Sequence, residues 1–193
     1  MRHSYMWAGF LVLISAVPAQ AQGQAPFGVT MGSQISKYPT CEKTELAGWY
    51  KCDSLPRSHA GFEFYSIQAH PKIGVCFVKG VGNDIKRDAR GVMTRAAIKK
   101  LAEQIEQTYG PHDRTRDELS SRSTLKNPED WMAAVEKDER TFSYDWTRGN
   151  YPNDIDSIHV FARATSGETG YAVVEFYFKN DKQCDDELDK EAF

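Results

Sequence analysis

Hydrophobic positions along this chain change period several times, and each change marks an element. Phe62 to Gln68 and Ile73 to Val81 are short apolar-rich runs joined by Ala69-His70-Pro71-Lys72, the spacing of a strand hairpin. From about Thr94 to Tyr109 the spacing becomes helical. Ala97, Ile98, Leu101, Ala102, Ile105 and Tyr109 share one face, so Ile98, Leu101 and Ile105 are expected buried. Lys99, Lys100, Glu103 and Glu106 are expected exposed on the other face. Gly110-Pro111 stops the helix.

A shorter helix is signalled at Asn127-Pro128-Glu129-Asp130, where asparagine suits the N-cap and two acids suit the positive end of the dipole. Trp131, Met132 and Val135 are its apolar stripe. Three strands follow. Phe142, Tyr144 and Trp146 alternate with polar residues over 141–147 and read as a core face rather than a stacking platform. Ile158, Val160 and Ala162 share one side of 155–164, and Ala172, Val174, Phe176 and Phe178 share one side of 171–178. Pro26 to Gly32 and Trp49 to Cys52 read as further short strands.

Strands, then helices, then strands predict an α+β domain. It should hold an antiparallel sheet of about five to seven strands, with one long and one or two short helices on one face. The acidic stretch from Asp185 to Glu191 reads as a solvated tail.

The N-terminus departs from this pattern. Arg2 and His3 precede an uninterrupted apolar run from Met6 to Val17, and Pro18 ends it. Ala19-Gln20-Ala21 then offers the small-x-small pattern of a signal-peptidase site. Residues 1–21 are therefore expected to be a signal peptide and residues 22–193 a single domain, periplasmic or secreted. The run is shorter than the roughly 20 residues a membrane span needs.

Export changes the reading of the four cysteines. Cys41, Cys52, Cys76 and Cys184 in an oxidising compartment imply two disulfides rather than thiols or a metal site. Three pairings are possible. The expected one joins Cys41 to Cys52 locally and Cys76 to Cys184 across the domain.

Charge narrows the partners. Without Arg2, 23 basic residues face 27 acidic ones, a formal charge of −4. Mild acidity and export argue against nucleic acid. No nucleophile elbow, H-E-x-x-H or phosphate loop occurs, and no cofactor or metal is implied. Gly80-Val81-Gly82 reads as a turn. His70 and His112, beside prolines, read as solvated loop residues, and His59 before Glu63 allows a His/Glu pair.

Two function classes lead, with a structural accessory to the outer membrane as a third. One is a non-enzymatic periplasmic binding protein, such as an inhibitor or immunity-type protein for an envelope-acting enzyme, whose partner is another envelope or secreted protein. Its contact surface would be the loop closed by Cys41 and Cys52, with Leu46, Trp49 and Tyr50 as anchors and Glu45 and Lys51 at the rim. The other is a small envelope hydrolase using the strand-borne carboxylates Glu63, Asp145 and Glu175.

Overall fold

A computed structural model describes residues 25–191; the expected signal peptide lies outside them. Eight strands follow in chain order: β1 (Cys41–Lys43), β2 (Trp49–Cys52), β3 (Phe62–His70), β4 (Gly74–Gly82), β5 (Arg114–Leu119), β6 (Arg140–Trp146), β7 (Ile155–Ser166) and β8 (Thr169–Phe178). The helices are α1 (Val92–Tyr109), α2 (Trp131–Glu136) and α3 (Asp181–Glu191). All strands join one sheet in the order β1-β2-β3-β4-β8-β7-β6-β5, every neighbour antiparallel. Two four-stranded meanders thus meet edge to edge at β4 and β8, and α1 lies in the connection between them.

One face of the sheet is the core. Register aligns Ile67, Val78, Phe176, Ile158 and Trp146 in a single row across five strands. Helix α1 sets Ile98, Ala102 and Ile105 against this side, and α2 adds Trp131, Met132 and Val135. Complete burial of a side chain such as Ile98 is worth about 1.5–3 kcal/mol. The first turn of α1 is capped from a distance: the buried Asp88 carboxylate accepts from the amides of Met93 (3.1 Å) and Thr94 (2.7 Å). The aromatic stripe of β6 does face the core, and Trp146 Nε1 donates to the Gly110 carbonyl at 2.8 Å.

Several expectations need correction. The sheet has eight strands because β1 and β5 carry almost no apolar signal: β5 reads Arg-Thr-Arg-Asp-Glu-Leu at an exposed edge. Residues 26–28 form a single 3₁₀ turn instead of a strand, which turns Phe27 onto Phe62, Tyr65 and Phe176. Gly80-Val81-Gly82 is strand, not turn. Glycine is needed at 82 because a Cβ would lie 2.7 Å from the Ala172 carbonyl oxygen. His70 is buried at the end of β3, and His112 is half-buried between Glu106 and Thr115. Leu101 and Glu106 on α1 are each only half-buried, at the margin between its two faces.

The acidic tail is the helix α3, and it lies against β3 and β4 on the face opposite α1 and α2. Asp185 there accepts from Gln68, whose side chain points away from the Ile67 row. Both expected disulfides form, Cys41–Cys52 and Cys76–Cys184. Cys76 is the extra residue of a bulge between the Gln68–Phe77 and Ala69–Val75 pairs. A bulge re-aims the chain locally, and at this one Cys76 meets the cysteine of α3.

Candidate functional site

Among the described residues, the second face of the sheet is open except where α3 covers one end. Its floor follows from register. Lys51, Ser66, Lys79, Glu175, His159 and Asp145 stand in one row across β2, β3, β4, β8, β7 and β6. Six strands at about 4.8 Å spacing give this row a span of about 24 Å. Apolar rows flank it: Phe64, Val81, Val173 and Phe161 on one side, Phe77 and Tyr177 on the other. Three contiguous depressions of about 500, 240 and 310 Å³ run along the face; the first two share Ser66 and Lys79, the last two Phe161, Arg163 and Glu175.

At one end lies a buried charge cluster. Asp145 takes Arg116 Nε at 3.0 Å and Nη2 at 3.2 Å, Ser143 Oγ at 3.2 Å, and His159 Nδ1 at 2.8 Å. Burial alone raises the pKa of this carboxyl, but the His159 hydrogen bond and the Arg116 charge outweigh it and hold the group below its usual value. Beside it, Tyr177 donates to Glu175 Oε2 at 3.1 Å, and burial together with the Glu175 charge pushes the phenol pKa up.

At the other end the cations lie over aromatic rings. Lys51 Nζ sits 4.7 Å from the Phe64 centroid and Lys79 Nζ 5.7 Å from that of Trp49; back beside the Asp145 cluster, Arg163 covers Phe161 at 5.2 Å.

The candidate residues of the cystine loop separate on this frame. Cys41 and Cys52 face each other across β1 and β2, so the loop is a disulfide-bridged hairpin. Strand alternation points Trp49 and Lys51 onto the open face and Tyr50 toward the core, against which it packs half-buried. Glu45 and Leu46 sit at the hairpin tip, where Leu46 is 67% exposed. The tip closes on Gly48, whose φ of 74° suits glycine and whose missing Cβ admits Leu188 of α3.

The carboxylate candidates separate too. Asp145 and Glu175 flank His159, whereas Glu63 is exposed at a bulge of β3. Both oxygens of Asp145 are occupied, and among the described residues no hydroxyl or thiol bonds to His159. His59 Nδ1 accepts from the Gly61 amide, and no contact with Glu63 forms among the described residues. Nor does any cluster of His, Cys, Asp or Glu there fit a metal ion.

Sequence reasoning missed His159, Lys79, Arg116 and Phe161. The signal was present in β7, where Ser157, His159, Phe161 and Arg163 alternate with the buried Ile158, Val160 and Ala162.

No family model, no curated protein and no solved structure matches this chain. Among the described residues no helix is long and apolar enough to cross a membrane.

Proposed function

We propose that this is an exported, non-enzymatic binding protein of the periplasm or extracellular space, and that it receives another protein on the open face of its sheet. An inhibitor or immunity-type protein for an envelope-acting enzyme would work this way. The observation that carries the reading is the face itself, where the half-buried Phe64, Val81, Phe161 and Tyr177 flank a charged row and, among the described residues, no element beyond α3 lies above them. Apolar centres with polar neighbours are the usual anatomy of a protein contact surface. The exposed Leu46 extends the surface beyond the sheet, and Trp49 and Lys51 join it from the hairpin. Two disulfides fit the oxidising compartment the reading requires.

The test is capture from an envelope extract by the immobilised mature protein, compared with Phe161→Glu and Leu46→Ala. A specific protein should be retained by the wild type and lost with Phe161→Glu at an unchanged melting temperature. Retention of the same proteins by all three would sink the reading.

A small hydrolase using Asp145 and Glu175 is the second reading, favoured by the short His159–Asp145 contact. It predicts a hydrolytic activity, on peptide, ester or glycan substrates of the envelope, that His159→Ala abolishes. The engaged state of both Asp145 oxygens counts against it.

A further inference from the structure

The core side of the sheet is covered in two parts that do not meet everywhere. Helix α1 crosses β6, β7 and β8, while the turn at 26–28 sets Phe27 on Phe62 and Tyr65 of β3. Between the two covers Phe176 of β8 closes the seam, with the Phe27 ring at 5.7 Å and the Tyr109 ring at 5.8 Å. Four residues earlier, on the same side of β8, stands Ala172. A methyl group there cannot fill the seam, and α1 brings only Ala97 and the half-buried Leu101 beside it. The result is a cleft of about 380 Å³ over Ala172, between α1 and residues 59–62. That volume lies within the range of about 300–1,000 Å³ usual for small-molecule sites.

We infer that this cleft binds a single-chain amphiphile with a small anionic head, a free fatty acid being its simplest form. The cleft is separate from the open face assigned to a partner protein, and the inference does not depend on that reading. Phe62, Ala97, Leu101 and Ala172 give apolar walls for the chain. Lys100, Gln104 and His59 complete the lining, and no acid among the described residues belongs to it.

The donors at the rim are unspent. Among the described residues Lys100 has no ion pair and the Gln104 amide no hydrogen bond. His59 Nδ1 accepts from the Gly61 amide at 3.0 Å, so the neutral ring carries its proton on Nε2 and offers it as a donor. Glu103, the nearest acid along the helix, pairs with Lys99 at 4.0 Å. It lies toward β6, where burial, and then the charges of Glu103 and Glu106, raise the Tyr144 pKa. One cation without a competing acid, beside two uncharged donors, suits a head group of single negative charge. The walls set the affinity through chain length, and the rim sets the sign of the head.

The experiment is an NMR titration of the isotope-labelled mature protein with decanoate, kept below its self-association concentration. Hexanoate, decyltrimethylammonium and decanoyl lysophosphatidylglycerol are titrated in parallel. Saturable shifts centred on residues 61, 97, 101 and 172 are expected from decanoate. Hexanoate, which buries less chain, should bind at least about tenfold more weakly. The cationic amphiphile should also be weaker by at least about tenfold. K100Q, at an exposed site, should lose about fivefold with an unchanged melting temperature. A97L, whose longer side chain would occupy the cleft, should abolish binding without lowering the melting temperature. Tighter binding of the lysolipid than of decanoate would make the natural source a lysolipid, and weaker binding a free acid. Absent shifts at the cleft, equal binding of the cationic amphiphile, or unchanged binding in either variant would each overturn the inference. So would shifts at the cleft that follow protein concentration without any ligand, since a second copy would then occupy it.

Discussion

His159 Nδ1 lies 2.8 Å from Asp145 Oδ1, on the neighbouring strand, and Arg116 reaches the same carboxylate from the next strand out. One buried acid thus ties together β5, β6 and β7 at the edge of the sheet. Apart from it, β5 is held to β6 by backbone pairing, by the ion pair of Asp117 with Arg140 and by Arg116 Nε donating to Ser143 Oγ.

Asp145→Asn should therefore destabilise the protein by about 1–3 kcal/mol at neutral pH, because hydrogen bonds to a charged group are lost while Arg116 keeps partial access to water. The pH dependence has a definite sign. The folded carboxyl titrates below its ordinary value, so its contribution is full above the unfolded pKa and disappears as pH falls through the lower folded one. Urea unfolding of wild type and variant should differ at pH 7 and converge near pH 2. A gap of the same size at both would show that charge is not what Asp145 contributes.

Asp181 behaves oppositely. Burial, with Asp185 and Asp156 nearby, raises its pKa to about 6, more than the helix N-terminus relieves. A raised carboxyl contributes stability that is full below its unfolded pKa and lost as pH rises through about 6. Asp181→Asn should accordingly stabilise the protein at pH 7, by about 1 kcal/mol after solvent screening, and change little at pH 3.5. Amide exchange in α3 should slow in the variant at neutral pH. Faster exchange there would contradict the electrostatic account.

The two disulfides should not be equivalent. Cys76–Cys184 closes a separation of 108 residues and holds α3 on the sheet, while Cys41–Cys52 closes 11 within a hairpin. Chain entropy alone puts the first near 4.7 kcal/mol and the second below about 3. Paired Cys→Ala replacements, followed by denaturant unfolding, should rank them in that order. The first pair should also expose α3 to proteolysis.

On α1, Ile98→Ala should cost about 2–5 kcal/mol, as loss of a fully buried side chain does. Leu101→Ala, at a half-buried site, should cost clearly less, and Lys100→Ala should be nearly silent. Thermal unfolding of the three variants checks the ranking; equal effects from Ile98 and Leu101 would mean the helix docks at a different rotation.

The α+β class, the long helix and its stop at Gly110, the capped turn at Asn127 and six of the strands were all legible, because each rests on local periodicity or local backbone chemistry. The core side of β6, β7 and β8 was legible for the same reason: alternation names a buried side without reference to neighbours. The cystine pairs matched the local and long-range choice made from position, although sequence allowed two other pairings.

What the tertiary structure decided is everything that depends on register between strands distant in sequence. Asp145 and Glu175 come from segments with no local reason to meet, and His159 stands between them only because β7 inserts between β6 and β8. Lys51 and Lys79 stand in one row only because β3 lies between β2 and β4 in one particular register. An alternating strand states which side chains avoid water, and that is a property of the chain by itself. Which polar side chains gather on the other side is set by strand order and register, and those are fixed by packing the whole sheet against α1 and α2.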